Sequence, residues 1–167
     1  MFLLKIIQNC FKHSFFVVSG IGISVGLFTI LTPVASAKFV YCVQSEWSQQ
    51  ALLLLVGKIG YYPLFYFCYE INSGATESVT ITFDERDVSN AINHEILVEC
   101  DDDCANINLQ VYDENNQLIG EDIDPNSSFA RVRVNNITNG KKVEVKMFME
   151  SCQTDYCGAV LATTPIQ

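Results

Sequence analysis

Histidine and basic residues are scarce in this 167-residue chain, which has two histidines and ten lysines and arginines against nineteen aspartates and glutamates. Neither a Gly-x-Ser-x-Gly elbow nor a His-Glu-x-x-His pair occurs, which excludes the hydrolases and zinc peptidases built on those motifs. His13 lies in an N-terminal apolar region, so His94 is the only histidine of the downstream domain. Strand alternation puts it on one face with Ile92 and Ile96, the place of a buried or edge histidine rather than a general base. The shortage of cations excludes nucleic acid and anionic membrane surfaces as partners, because phosphate contacts need lysine and arginine patches.

Cysteine, by contrast, is plentiful, and the N-terminus suggests why. Lys5, Lys12 and His13 precede an apolar run from Phe15 to Leu31, and Ala35-Ser36-Ala37 then supplies the small residues a signal peptidase reads. Residues 1–37 are therefore expected to be a secretory signal, with an uncleaved membrane anchor as the alternative because the run approaches spanning length. Residues 38–62 are expected to form a helical segment and 63–167 a β-domain, placed in the periplasm or outside the cell. Lys5 and Lys12 are the only charged residues of the signal, so the mature chain has 8 basic residues against 19 acidic ones, a net charge of −11.

Six cysteines remain after residue 37, and an even number in an exported chain points to disulfides. Cys100 and Cys104 enclose three residues, and Cys152 and Cys157 enclose four, both around polar residues suited to turns. Two local bridges are the economical solution, leaving Cys42 to pair with Cys68. In the chain-entropy model the local bridges contribute about 2 kcal/mol each and the long one about 3.5 kcal/mol. A redox dithiol at Cys100 is disfavoured by Asp101-Asp102-Asp103, whose charge opposes thiolate formation, and a four-cysteine zinc site would need reduced thiols in an oxidising compartment.

One helix and then strands follow. Ser45 suits an N-cap, and Trp47, Ala51, Leu54, Leu55 and Ile59 recur at helical spacing before Gly60. Leu52, Leu53 and Val56 widen the apolar surface, which predicts burial against a sheet or contact with a partner or membrane. The run "LFYFCYEI" reads as a strand covered on both faces, the alternative being a sugar-stacking platform of Tyr61, Tyr62, Phe65, Tyr66, Phe67 and Tyr69, with Tyr61, Tyr62 and Tyr69 as candidate ligand contacts. Period-two runs then place Val79, Ile81 and Phe83, later Ile107, Leu109 and Val111, and finally Val143, Val145, Met147 and Met149 on buried faces. Asn139-Gly140, between Arg131–Val134 and Lys142–Met149, signals a hairpin. About eight strands without interleaved helices predict a mainly β fold, an antiparallel, jelly-roll-like sandwich preceded by one short helix.

The segments "NINLQVYDENNQLI" and "NGKKVEVKMF", together with the "CDDDC" loop, the second cysteine pair and Gly60-Tyr61, resemble the bacterial pre-peptidase C-terminal family. The likeness runs from Ser78 to Thr163 and is to variants of that family in small exported proteins. Asn106, Asn108 and Asn116 depart from it where aspartates and a glycine are usual. The resemblance implies an accessory β-sandwich of secreted proteins, acting in export, stability or adhesion, and makes calcium worth testing.

No cofactor is expected, with calcium as the one candidate. An EF-hand register from Asp101 fails because Asn106 and Tyr112 stand where glycine and a bidentate acid are required, but Asp101, Asp103 and Asp113 would supply oxygens if the strand return gathered them. The alternative is a disulfide-clamped turn with solvated aspartates. The functional expectation is a non-catalytic module binding a protein or polysaccharide, the alternative being an envelope protein held by an uncleaved N-terminus.

Overall fold

The computed structural model describes residues 37–40, 42, 45–63, 65–90 and 92–166, so the expected signal segment, apart from Ala37, lies outside the described residues. The helix forms where its caps predict. In α1 (Glu46–Ile59) the Ser45 hydroxyl accepts from the Ser48 N–H at 3.4 Å, and Gly60 ends the helix at φ +82°, its N–H donating to Val56 O at 2.8 Å. Ser48, Ala51 and Leu55 are buried, whereas Leu53 is 62 % exposed. Among the described residues no helix is long and apolar enough to cross a membrane.

A strand that the sequence pattern did not reveal precedes this helix. β1 (Ala37–Val40) pairs antiparallel with β2 (Phe65–Asn72), Val40 opposite Cys68 and Ala37 opposite Ile71. Four residues are too few to show a period. The other strands are β3 (Thr76–Thr82), β4 (His94–Cys100), β5 (Cys104–Asp113), β6 (Leu118–Asp122), β7 (Phe129–Val134), β8 (Lys142–Cys152) and β9 (Tyr156–Pro165), with a short helix α2 (Glu85–Asn90) between β3 and β4. They form two antiparallel sheets, ordered β1-β2-β9-β4-β7 and β3-β8-β5-β6. From β2 onward the chain crosses between sheets at every connection except β5 to β6, which gives the expected jelly-roll sandwich.

The alternating runs pack as their period requires. Ile107, Leu109 and Val111 of β5 and Val143, Val145, Met147 and Met149 of β8 meet Ile96, Val98, Val132 and Leu161 of the facing sheet. A second layer lies outside the first sheet, where Ala51 and Leu55 of α1 cover Cys68, Leu97, Val160 and Ala162. β9 is therefore buried on both faces, and Gly158 shows how closely α1 approaches it: a Cβ there would stand 2.7 Å from Ser48 N. Full burial of a residue such as Leu55 contributes about 2 kcal/mol.

Two expectations about connections need correction. Asn139-Gly140 does form a turn, with Gly140 at φ +81°, but β7 and β8 belong to different sheets, so it joins two sheets rather than closing a hairpin. β7 pairs instead with β4, and β8 lies between β3 and β5. Ile92, expected on a buried face, is 58 % exposed because the strand begins only at His94.

Candidate functional site

The aromatic segment supplies the most distinctive surface. β2 is buried at Cys68, Tyr69 and Ile71, but Phe65, Tyr66 and Phe67 are each about 40 % exposed, and Tyr61 and Tyr62 are exposed by 49 % and 63 %. The expected two-sided cover is thus present for only half of the strand. On its edge, β1 reaches only to Cys68. On its inner face, Phe65 and Phe67 share the side of Tyr69 and Ile71, yet the sheets part there and leave a cleft of about 150 Å³. Phe65, Phe67 and Leu161 line one wall, Ile81 and Phe83 the other, and Asp84 and Asp87 lie at the α2 end.

Of the three tyrosines singled out as candidate ligand contacts, Tyr61 and Tyr62 are exposed and Tyr69 is not. It is 3 % exposed and packs in the sandwich interior, where the sheets have closed, and burial pushes its phenol pKa far above the ordinary range. The sequence favoured core packing for Phe65 and Phe67 over surface exposure because alternation identifies the face of a strand but not where the opposing sheet ends.

No protein-family model and no curated protein matches the sequence. Among solved structures the chain is similar to the tandem CBM51 modules of Sp3GH98, the family 98 glycoside hydrolase from Streptococcus pneumoniae SP3-BS71. Identity is 9 %, the match covers 79 % of this chain and 49 % of that one, and the TM-score is 0.38. The chain therefore spans about half the length of that neighbour, and likeness at this distance carries no functional argument.

The six cysteines stand at disulfide distance in the expected pairs. Cα separations are 5.2 Å for Cys42–Cys68 and 5.8 Å for both Cys100–Cys104 and Cys152–Cys157. Both local pairs sit where the chain crosses between sheets, β4 to β5 and β8 to β9. Each therefore staples one sheet to the other, and Cys104 stands opposite Cys152 in the β5–β8 pairing, which gathers both staples at one end of the sandwich.

The acidic loop does not assemble the calcium set considered above. Asp101 and Asp103 precede β5 and Asp113 ends it, so a ten-residue strand separates them by about 30 Å at the usual rise per residue. Among the described residues no group of three or more histidine, cysteine or acidic side chains is arranged to hold a metal. Asp113 instead organises the β5–β6 turn, accepting from the N–H groups of Asn115 at 2.9 Å and Gln117 at 2.8 Å, which hold its pKa below the ordinary carboxylate value.

Asp101 turns inward. It is fully buried, its Oδ2 accepts from the Gly158 N–H at 2.6 Å, and its pKa is raised by desolvation against the lowering effect of that bond. Glu99 is likewise fully buried, because α1 lies over the outer side of the sheet. Lys58 Nζ reaches its two oxygens at 2.7 and 2.9 Å, and Ser128 donates at 3.1 Å, yet burial dominates and raises its pKa too. His94 is buried as alternation predicts, its ring 5.2 Å from that of Phe83 and its Nε2 3.2 Å from Asp87 O.

Proposed function

We propose that this chain is an exported, non-catalytic accessory module that binds a protein or polysaccharide partner through its aromatic surface. One observation carries the reading: five aromatic side chains between Tyr61 and Phe67 are exposed, and two of them, Phe65 and Phe67, line an apolar cleft. Binding rather than catalysis is supported by the placement of His94, packed against Phe83 inside the sandwich. Export is supported by the three cysteine pairs at disulfide distance, which persist in oxidising compartments. Kinship with pre-peptidase C-terminal domains remains part of the proposal, supported by the quoted motifs falling on β5 with its Asn115-Asn116 turn and on β8.

Retention on insoluble polysaccharides and capture of partners from an exported fraction test the reading. The combined Tyr61→Ala and Tyr62→Ala variant should lose at least about tenfold in capture with an unchanged melting temperature, since both side chains are exposed. Full capture by that variant, or hydrolysis lost in His94→Ala, would refute it.

A further inference from the structure

Among the described residues four strands, β1, β7, β3 and β6, form the edges of the two sheets. Three are short or guarded. β1 has four residues, and β6 has five, ends in Glu121-Asp122 and pairs with β5 through a register shift. β7 carries Arg131 and Arg133 on its exposed face and is tied to β6 by the Arg131 N–H, which donates to Asp122 Oδ2 at 2.9 Å. β3 has none of these protections. It runs seven residues in unbroken register with β8, contains no proline, glycine, lysine or arginine, and carries one charge, Glu77.

The ladder shows which main-chain groups face outward from β3. The Phe83 N–H donates to Lys141 O at 2.9 Å, and Ala75 O accepts from the Met149 N–H at 2.9 Å, so both ends assign the odd-numbered residues to the bonds with β8. Antiparallel alternation then directs the N–H and C=O groups of Ser78, Thr80 and Thr82 to the free edge. This edge borders the cleft, which Thr80 and Thr82 line together with Phe65 and Phe67. A strand added to β3 would direct alternate side chains into the gap between the sheets.

We propose that β3 receives an extended, basic segment of a partner protein as an added strand, with apolar side chains entering the cleft against Phe65 and Phe67. The inference rests on the binding-module reading and names its partner class. Charge selects among occupants: the chain has a net charge of −9, β3 itself carries Glu77, and Asp87 lies at the end of the cleft beside the Asp84–Arg86 ion pair, so a basic segment is attracted, whereas a second copy would bring the same negative charge. A glycan could stack on the rings but would leave the outward amides of β3 unmatched at strand spacing.

The test titrates the full chain against a fluorescent peptide of about eight residues, with valine and threonine alternating between terminal lysines. Saturable binding is expected, with slower amide exchange at Ser78, Thr80 and Thr82 and affinity at least about tenfold weaker when alternate peptide amides are N-methylated. Thr80→Pro, which removes an outward N–H without breaking a bond to β8, should weaken binding similarly, and glutamate in place of the terminal lysines should also reduce it. The N-methylated probe keeps the test decisive if a variant fails to fold. Absence of binding, equal affinity for the N-methylated peptide, or self-association occupying β3 would overturn the proposal. If the Tyr61 and Tyr62 substitutions abolish polysaccharide or partner capture while the peptide does not bind, the binding-module reading survives and the added strand falls.

Discussion

Asp101 and Gly158 exchange two hydrogen bonds: the Gly158 N–H donates to Asp101 Oδ2 at 2.6 Å, and the Asp101 N–H donates to Gly158 O at 3.0 Å. The acidic loop is thereby attached to β9 beneath the first turn of α1. Gly158→Ala should destabilise the domain by about 2 kcal/mol, because its Cβ meets helix backbone rather than a yielding side chain. Asp101→Ala should cost about 1–3 kcal/mol by leaving a buried N–H unpaired. Urea denaturation measures both, and a Gly158→Ala variant as stable as the parent would show that α1 does not seat on β9 as described.

Buried carboxylates give stability a distinctive pH dependence. Glu77, Glu99 and Asp101 are raised by desolvation, so each binds its proton more tightly in the folded state. Their contribution is fully present below the unfolded carboxylate pKa and is lost as pH rises through the folded values. Asp84 and Asp113 act oppositely, since hydrogen bonds lower them, but both are solvent-facing and their effect is screened. The melting temperature should therefore fall as pH rises above the ordinary carboxylate range, and Asp101→Asn should flatten that fall. A melting temperature that rises there instead, with the same slope in Asp101→Asn, would contradict the burial of these groups.

The disulfides should differ in effect. Replacing Cys42 and Cys68 by serine removes the longest closed loop and should cost about 3.5 kcal/mol, against about 2 kcal/mol for either local pair. Calorimetry of the three double variants compares them. If Cys100–Cys104 or Cys152–Cys157 proves the more important, stapling the two sheets together outweighs the entropy of loop closure.

How far the sequence discloses this molecule depends on the range of the interaction. Capping at Ser45 and Gly60, alternation in β5 and β8, and local cysteine spacing act over a few residues, and each matches the structure. Asn139-Gly140 identifies a turn but not its partners, because a turn's preference for positive φ is the same whether the next strand stays in the sheet or leaves it. Glu99 is buried only once α1 is placed over it, and Phe67 looks buried until the sheets are seen to part. The candidate site was least legible for that reason: it exists where two strands distant from each other in the pairing order fail to meet.

Calcium should leave the domain unchanged. Six to eight oxygen ligands are required, and the loop offers few that are free to converge. Asp101 already accepts from Gly158, Asp102 accepts from the Gln50 side chain, and Asp103 contributes its carbonyl to the Gln153 N–H at 2.8 Å. Asp113 lies at the far end of β5 and is engaged in its own turn. Screening by solvent relieves the repulsion among exposed carboxylates without a bound cation. Titration calorimetry with Ca²⁺ should give no binding heat, and chelation should not shift the melting temperature. A saturable heat abolished by Asp103→Ala would instead establish that the loop rearranges around the ion, releasing Asp101 from Gly158 to do so.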